Sequence, residues 1–287
     1  MRPEFDLGVG IGTDMKKASV PNALKPRSLR RVLFFFVASV VLCPAVSVDV
    51  VPQTLSISVV PQFRAVDTHR SWAPFLARLS RRTGIVFKLK YYPTIPRFEE
   101  GFLRGETDLA YMNPYHAVMA KRAQGYVPLV RGPMGLRGIL VVRADSSIYS
   151  VGQIKGSAVA FPSANAFAAS LYMRALLTRA GVNFTPRYVH THQNVYRSVV
   201  LGVVQVGGGV RDTLTREPEA IQSQLRVVFE TQPVVPHPLT VHPRIPTPLQ
   251  TRIAAAILDM QDASSEDREL LAGVGLLADA DDRAAAG

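Results

Sequence analysis

From Thr54 to Leu271 the chain alternates two hydrophobic rhythms, one of period two and one of period 3.6. Leu55–Val60 puts an apolar side chain at every second position, which predicts a strand. Trp72, Phe75, Leu76 and Leu79 then recur at helical spacing, and Gly84 stands where a left-handed residue ends a helix. Ile85–Tyr91 alternates again, Phe98 and Phe102 predict a short helix, and Asp108–Met112 reads as a buried strand. Asn113-Pro114 opens the next helix. Asn can accept from its free N–H groups, and proline suits the first helical position. Gly125 closes that helix, and strands follow over Tyr126–Val130 and Gly138–Val142.

A second set repeats the rhythm. Ser157–Phe161 predicts a strand, and Ser163 a cap for a helix carrying Phe167, Leu171 and Ala175 and ending at Gly181. Arg187–His190, Val203–Val206 and Leu225–Phe229 predict strands, with a helix over Asn194–Leu201. Six prolines between Pro233 and Pro248 break regular structure, so that segment reads as a crossover back to the first set. Helices over Leu249–Met260 and Ser265–Leu271 close the chain. Alternating strands and helices predict an α/β protein. At 287 residues, two lobes are expected: residues 54–140 with 238–275, and residues 143–232, followed by a tail over 276–287.

The first 47 residues follow a different logic. Arg27, Arg30 and Arg31 precede an uncharged run, Val32–Leu42, then Pro44 and the small pair Ala45-x-Ser47. This order predicts a leader and signal peptide over 1–47, cleaved after Ser47, and hence a periplasmic protein; the run is short for a membrane span. Two alternatives stay open. An uncleaved anchor fits the lack of charge before Asp49, and lipidation at Cys43 is opposed by Leu42, where a small residue is wanted. Cys43 is the single cysteine, which excludes a disulfide framework and a Cys-ligated zinc. Residues 1–47 hold seven Lys/Arg and three Asp/Glu, so the net charge of +11 falls to +7 without them, a balance that suits an anionic ligand or an anionic surface, or that reflects a generally arginine-rich composition with its arginines scattered.

The chemistry-bearing motifs are informative mainly by what they exclude. There is no G-x-S-x-G elbow, P-loop or H-E-x-x-H, so no catalytic residue is assigned and the chain reads as a non-enzyme. His190 and His192 have no carboxylate or cysteine beside them, so neither metal nor cofactor is expected. Basic residues are not interleaved with aromatics, which argues against nucleic acid. Polar segments at the C-terminal ends of predicted strands, where open α/β sheets take ligands, remain as candidates. They are Tyr111, Asn113 and Tyr115; Ser163 and Asn165; and His192, Asn194, Gly207 and Gly208, with Arg137 as a fixed charge. Asn113 could equally serve as a helix cap alone, and the glycines could permit a tight bend rather than close approach to a ligand.

Gly105–Pro114, Val142–Ile148, Ile154–Phe161, His192–Val199 and Gly202–Gly208, in that order, resemble the periplasmic substrate-binding proteins of phosphate/phosphite/phosphonate ABC transporters. The resemblance spans roughly residues 54–275. It implies a two-lobed type II periplasmic-binding-protein fold with a small polar, anionic ligand in the cleft between lobes, and a monomer that partners a membrane permease. A ligand-binding sensor or accessory protein signalling to a membrane partner is the alternative. His192 matches the family's cleft histidine. Counted without gaps from Lys155-Gly156, the family's Ser-Thr-Ser falls on Ala166, Phe167 and Ala168. The family's ligand-contacting Tyr falls on Leu136, and its Val-Asp-Ala-Gly on Val204-Gln205-Val206-Gly207. The fold therefore carries over further than the ligand does.

Overall fold

A computed structural model describes residues 53–277. The leader, the cleavage site, Cys43 and the end of the tail lie outside the described residues. The first lobe begins with β1 (Thr54–Val59), α1 (Ala65–Thr83), β2 (Val86–Lys90), α2 (Ile95–Leu103), β3 (Leu109–Tyr111), α3 (Pro114–Gln124) and β4 (Val127–Arg131). Local signals set the helix ends. Asn113 Oδ1 accepts from His116 N at 2.8 Å, and Gly84 and Gly125 take φ of 66° and 77°, the left-handed region that ends a helix cheaply only at glycine.

The chain then crosses into a second sheet made by β5 (Gly138–Arg143), β6 (Ala158–Phe161), β7 (Thr185–Tyr188), β8 (Val206–Val210) and β9 (Leu225–Glu230). Its helices are α4 (Met173–Arg179), α5 (His192–Val200), α6 (Arg211–Thr215) and α7 (Glu219–Gln222). It returns as β10 (Pro238–Val241), α8 (Thr247–Ala263) and α9 (Ser265–Gly273). The sheets have the orders β2-β1-β3-β10-β4 and β7-β6-β8-β5-β9. Where the chain crosses, Leu136 and Val234 exchange backbone hydrogen bonds of 2.8 and 2.9 Å, so the outgoing and returning segments run as one antiparallel pair.

Four expectations need correction. β5 lies wholly in the second sheet, so the first crossing falls between Arg131 and Gly138 rather than at 140–143. The proline-rich return contains a strand, β10, inserted antiparallel between β3 and β4. Its proline is the first strand residue, a position that the missing N–H tolerates. Leu276 is buried against the first lobe's core, and its N–H bonds Leu271 O at 2.8 Å, so the tail starts later than 276. Ser163 does not cap a helix: its Oγ accepts from Asn165 N in a local turn, and the helix starts at Phe167 as a π-helical turn, Phe167–Tyr172. Leu171 N reaches back five residues to Ala166 O, the i→i+5 bond of that geometry.

The glycines of β8 explain how this turn sits. Gly207, Gly208 and Gly209 are interior strand residues, all buried. A Cβ on Gly207 would lie 2.6 Å from Val195 Cγ1 of α5, and one on Gly209 would strike the Tyr196 ring. On the opposite face a Cβ on Gly208 would lie 2.5 Å from the backbone oxygen of Ala169 and would strike the Phe161 ring. Gly138 on β5 lets Ala168 O come equally close. Helices can therefore rest directly on both faces of the sheet, because its centre carries no side chains there.

Candidate functional site

The two lobes face each other across a cleft at the C-terminal ends of β1, β3, β6 and β8. Its outer part is a chamber of about 100 Å³. From the first lobe, Gln62, Thr68, Trp72 and Tyr111 line it; from the second, Asp212, Thr213 and Arg216; and His237 of the returning segment forms part of the wall. The aromatic side is closely packed. Trp72 and Tyr111 are buried with ring centroids 5.1 Å apart, and Tyr111 stacks on His237 at 5.4 Å. The polar side comes from α6. Asp212 is exposed and the Arg216 guanidinium lies 4.7 Å over the Phe63 ring, spanning from one lobe to the other. Among the described residues, neither the Asp212 carboxylate nor the Tyr111 hydroxyl has a hydrogen-bond partner. Burial first, and Asp212 second, push the Tyr111 hydroxyl far above its ordinary range, so it stays protonated and able to donate.

The inner end of the cleft is built differently. Asn113 Nδ2 donates to Asn165 O across the lobes at 3.0 Å, and Asn165 Nδ2 donates to Glu99 Oε2 at 3.2 Å. His116 Nε2–H donates to Glu99 Oε1 at 2.9 Å, which leaves its buried Nδ1 without a partner. His192 is buried with Nδ1 3.2 Å from Thr213 Oγ1, itself bonded to Tyr196 and to Val210 O. Burial lowers His192 to about 4, and burial with the neighbouring His116 and His192 lowers His237 to about 3. Both rings are neutral at pH 7, as desolvation without a carboxylate partner requires.

The family described as "ABC transporter, phosphonate, periplasmic substrate-binding protein" matches residues 57–280. The chain belongs to this family. Among solved structures, a binding protein component of an ABC phosphonate transporter from Pseudomonas aeruginosa is similar at TM-score 0.70 and 18% identity, over 78% of this chain and 80% of that one. PhnD1 from Prochlorococcus marinus in complex with methylphosphonate is similar at TM-score 0.71 and 16% identity, over 78% and 90%. An arginine transport system periplasmic binding protein from Legionella pneumophila is similar at TM-score 0.56 and 14% identity, over 77% and 98%. No curated protein matches the chain. The two-sheet architecture is the type II periplasmic-binding-protein fold, and the family's members are solute-binding components of ABC transporters.

Within this family fold the expected site residues separate into groups. Tyr111 lines the outer chamber; Asn113 and His192 line the inner end. Asn165 holds the lobes together through its carbonyl and amide. Arg137 is half-exposed and 3.7 Å from Glu230, outside both spaces. Asn194 donates to Val189 O within its own lobe and stabilises the turn before α5, and Tyr115 and Ser163 line neither space. Gly207 and Gly208 are a correction: they lie inside β8 beneath helices, where a ligand has no access. Trp72, Asp212, Arg216 and His237 also line the outer chamber and are not among the residues expected from the sequence. Asp212 and Arg216 follow the strand end at Val210, so a strand placed four residues later would have pointed to them by position alone.

Proposed function

We propose that this chain is an exported, non-enzymatic solute-binding protein that works in the periplasm as a monomer and delivers its ligand to a membrane permease. The leader pattern over residues 1–47 supports export, and family membership supports the transport role. The ligand is a small polar solute bearing an anionic group, held in the outer chamber with Tyr111 contributing its hydroxyl. The observation that carries this reading is the pairing of Asp212 and Arg216 on one lobe with the Trp72–Tyr111 wall on the other. Arg216 offers a fixed cation to the anionic group, Asp212 accepts from a donor on the same solute, and the aromatic wall takes its apolar part. The volume of about 100 Å³ suits a molecule of a few heavy atoms, given that a cavity near 150 Å³ holds benzene.

A thermal-shift screen against organic acids, amino acids, amines and oxyanions tests the reading. A ligand at one hundred times its Kd adds about 2.7 kcal/mol, a rise of roughly 5–11 °C for a domain of this size. With the strongest hit, Arg216→Ala and Asp212→Ala should each weaken binding by about tenfold to a hundredfold, the range for one charge-assisted hydrogen bond. Unchanged affinity in both, measured by titration calorimetry, would remove the outer chamber as the site.

A further inference from the structure

The outer chamber and the inner end of the cleft meet at His237. It lines both spaces, as do Val60, Gln62 and Val210, and of these four only Gln62 and His237 carry a polar side chain. The chain fixes the imidazole before any solute arrives. Pro238 confines the backbone of His237 to extended geometry and opens β10, where Leu239 pairs with Tyr111 of β3. The Tyr111 ring then stacks on the imidazole at 5.4 Å, 29° from parallel. Gln62 is only partly buried, so bulk water can meet its amide; His237 is 5% exposed.

Among the described residues, neither ring nitrogen of His237 has a hydrogen-bond partner. The two other buried histidines near it do have one: His116 Nε2 bonds Glu99, and Nδ1 of His192 lies 3.2 Å from Thr213 Oγ1. Buried polar groups in folded proteins are nearly always paired, and one left unpaired costs stability, so an unpaired imidazole facing a ligand space asks what completes its bonding. Desolvation, with His116 and His192 adding to it, lowers His237 to about 3, so at pH 7 the ring offers one N–H and one lone pair. We propose that His237 is a ligand-contacting residue whose ring N–H donates to an oxygen of the bound solute at the junction of the two spaces. The inference rests on the solute-binding reading and adds a second contact to the same site: Arg216 supplies the charge, and His237 tests for an oxygen in the right place. Oxyacids fit this division, phosphonates included, because they present more oxygens than one guanidinium can meet.

The test pairs thermal melts with titration calorimetry, with methylphosphonate and aminomethylphosphonate as probes. His237→Phe keeps a ring against Tyr111 and removes both nitrogens. Without a probe it should melt at or above the wild-type temperature, because an unpaired polar group gives way to an apolar one. Its affinity for the better probe should fall by about tenfold or more, the worth of one charge-assisted hydrogen bond. His237→Gln, which keeps a donor, should bind that probe more tightly than His237→Phe does. Should the larger ring prevent folding, His237→Leu repeats both measurements. Wild-type affinity in the folded apolar variant overturns the inference. A probe-free fall in Tm of about 5 °C or more in both apolar variants also overturns it, since the ring would then be a structural group. Failure of either probe to bind the wild type at about 10 mM does the same. Failure of the solute-binding reading shows separately, as unchanged affinity in the Arg216 and Asp212 variants.

Discussion

Gly208→Ala should lower stability by about 3 kcal/mol or more, with a fall in Tm of roughly 6–12 °C. The new methyl group would meet the Ala169 carbonyl oxygen at 2.5 Å and overlap the Phe161 ring. A flexible side chain could move aside; the carbonyl cannot without shifting the π-helical turn from the sheet, and Phe161 is fully buried. Gly208→Val should not yield a folded protein. Gly152→Ala is the matched control, since nothing lies within 4 Å of its added Cβ and its φ is ordinary. That control should stay within about 0.5 kcal/mol of wild type. Thermal melts of the three variants by circular dichroism decide the matter. Equal loss in Gly152→Ala and Gly208→Ala would show that helix-on-sheet contact is not what requires the glycines.

The second large effect is a loss of stability in mild acid. Histidines in the unfolded chain take up protons near pH 6.5, whereas burial holds His192 at about 4 and His237 at about 3 in the folded protein. Between those limits the unfolded state binds more protons than the folded one, so stability is fully present above pH 6.5 and declines as pH falls. At 1.36 kcal/mol per pH unit, His192 alone accounts for about 3 kcal/mol by pH 4, and His237 acts in the same direction. His116 adds to the trend, since burial lowers it further than Glu99 raises it. Calorimetric melts from pH 7.5 to 4.5 should show Tm falling steadily by roughly 6–12 °C or more. His192→Asn should flatten that slope by about a third to a half, whereas an unchanged slope would take His192 out of the account.

The helix ends and strand rhythm could be read from single residues because their causes are local. Asn113, Pro114 and Gly125 bound α3 as expected, since a cap, a fixed φ and a left-handed residue act over one turn of chain. The elements misread are those decided by distant partners. β8 is a strand in spite of three consecutive glycines because α5 and the π-helical turn press on its two faces, and nothing in Val206–Val210 alone announces those neighbours. β10 is a strand amid prolines because β3 and β4 leave a gap between them that Leu239 and Val241 fill.

The candidate site follows the same division. Tyr111, Asn113 and His192 could be found from their positions at strand ends and helix starts. Trp72 reads by spacing as one core residue among four on α1, and its indole is indeed buried; only the folded chain places it beside Tyr111 at the chamber. Glu99 sits on α2 with no motif around it, and its role in joining Asn165 to His116 depends on a contact 66 residues apart in sequence. Ala166, Phe167 and Ala168 stand out in the sequence only through the family resemblance; that Ala166 and Ala168 join an apolar cluster closed across the lobes depends on Val60, Ile95 and Met112 from the facing lobe.

The most direct measurement is a crystal structure of the protein with the strongest hit from the solute screen. The solute should lie in the outer chamber, its anionic group at Arg216, a donor at Asp212 and its body against Trp72 and Tyr111. A solute seated instead among Asn113, Phe167 and His192 would contradict this assignment.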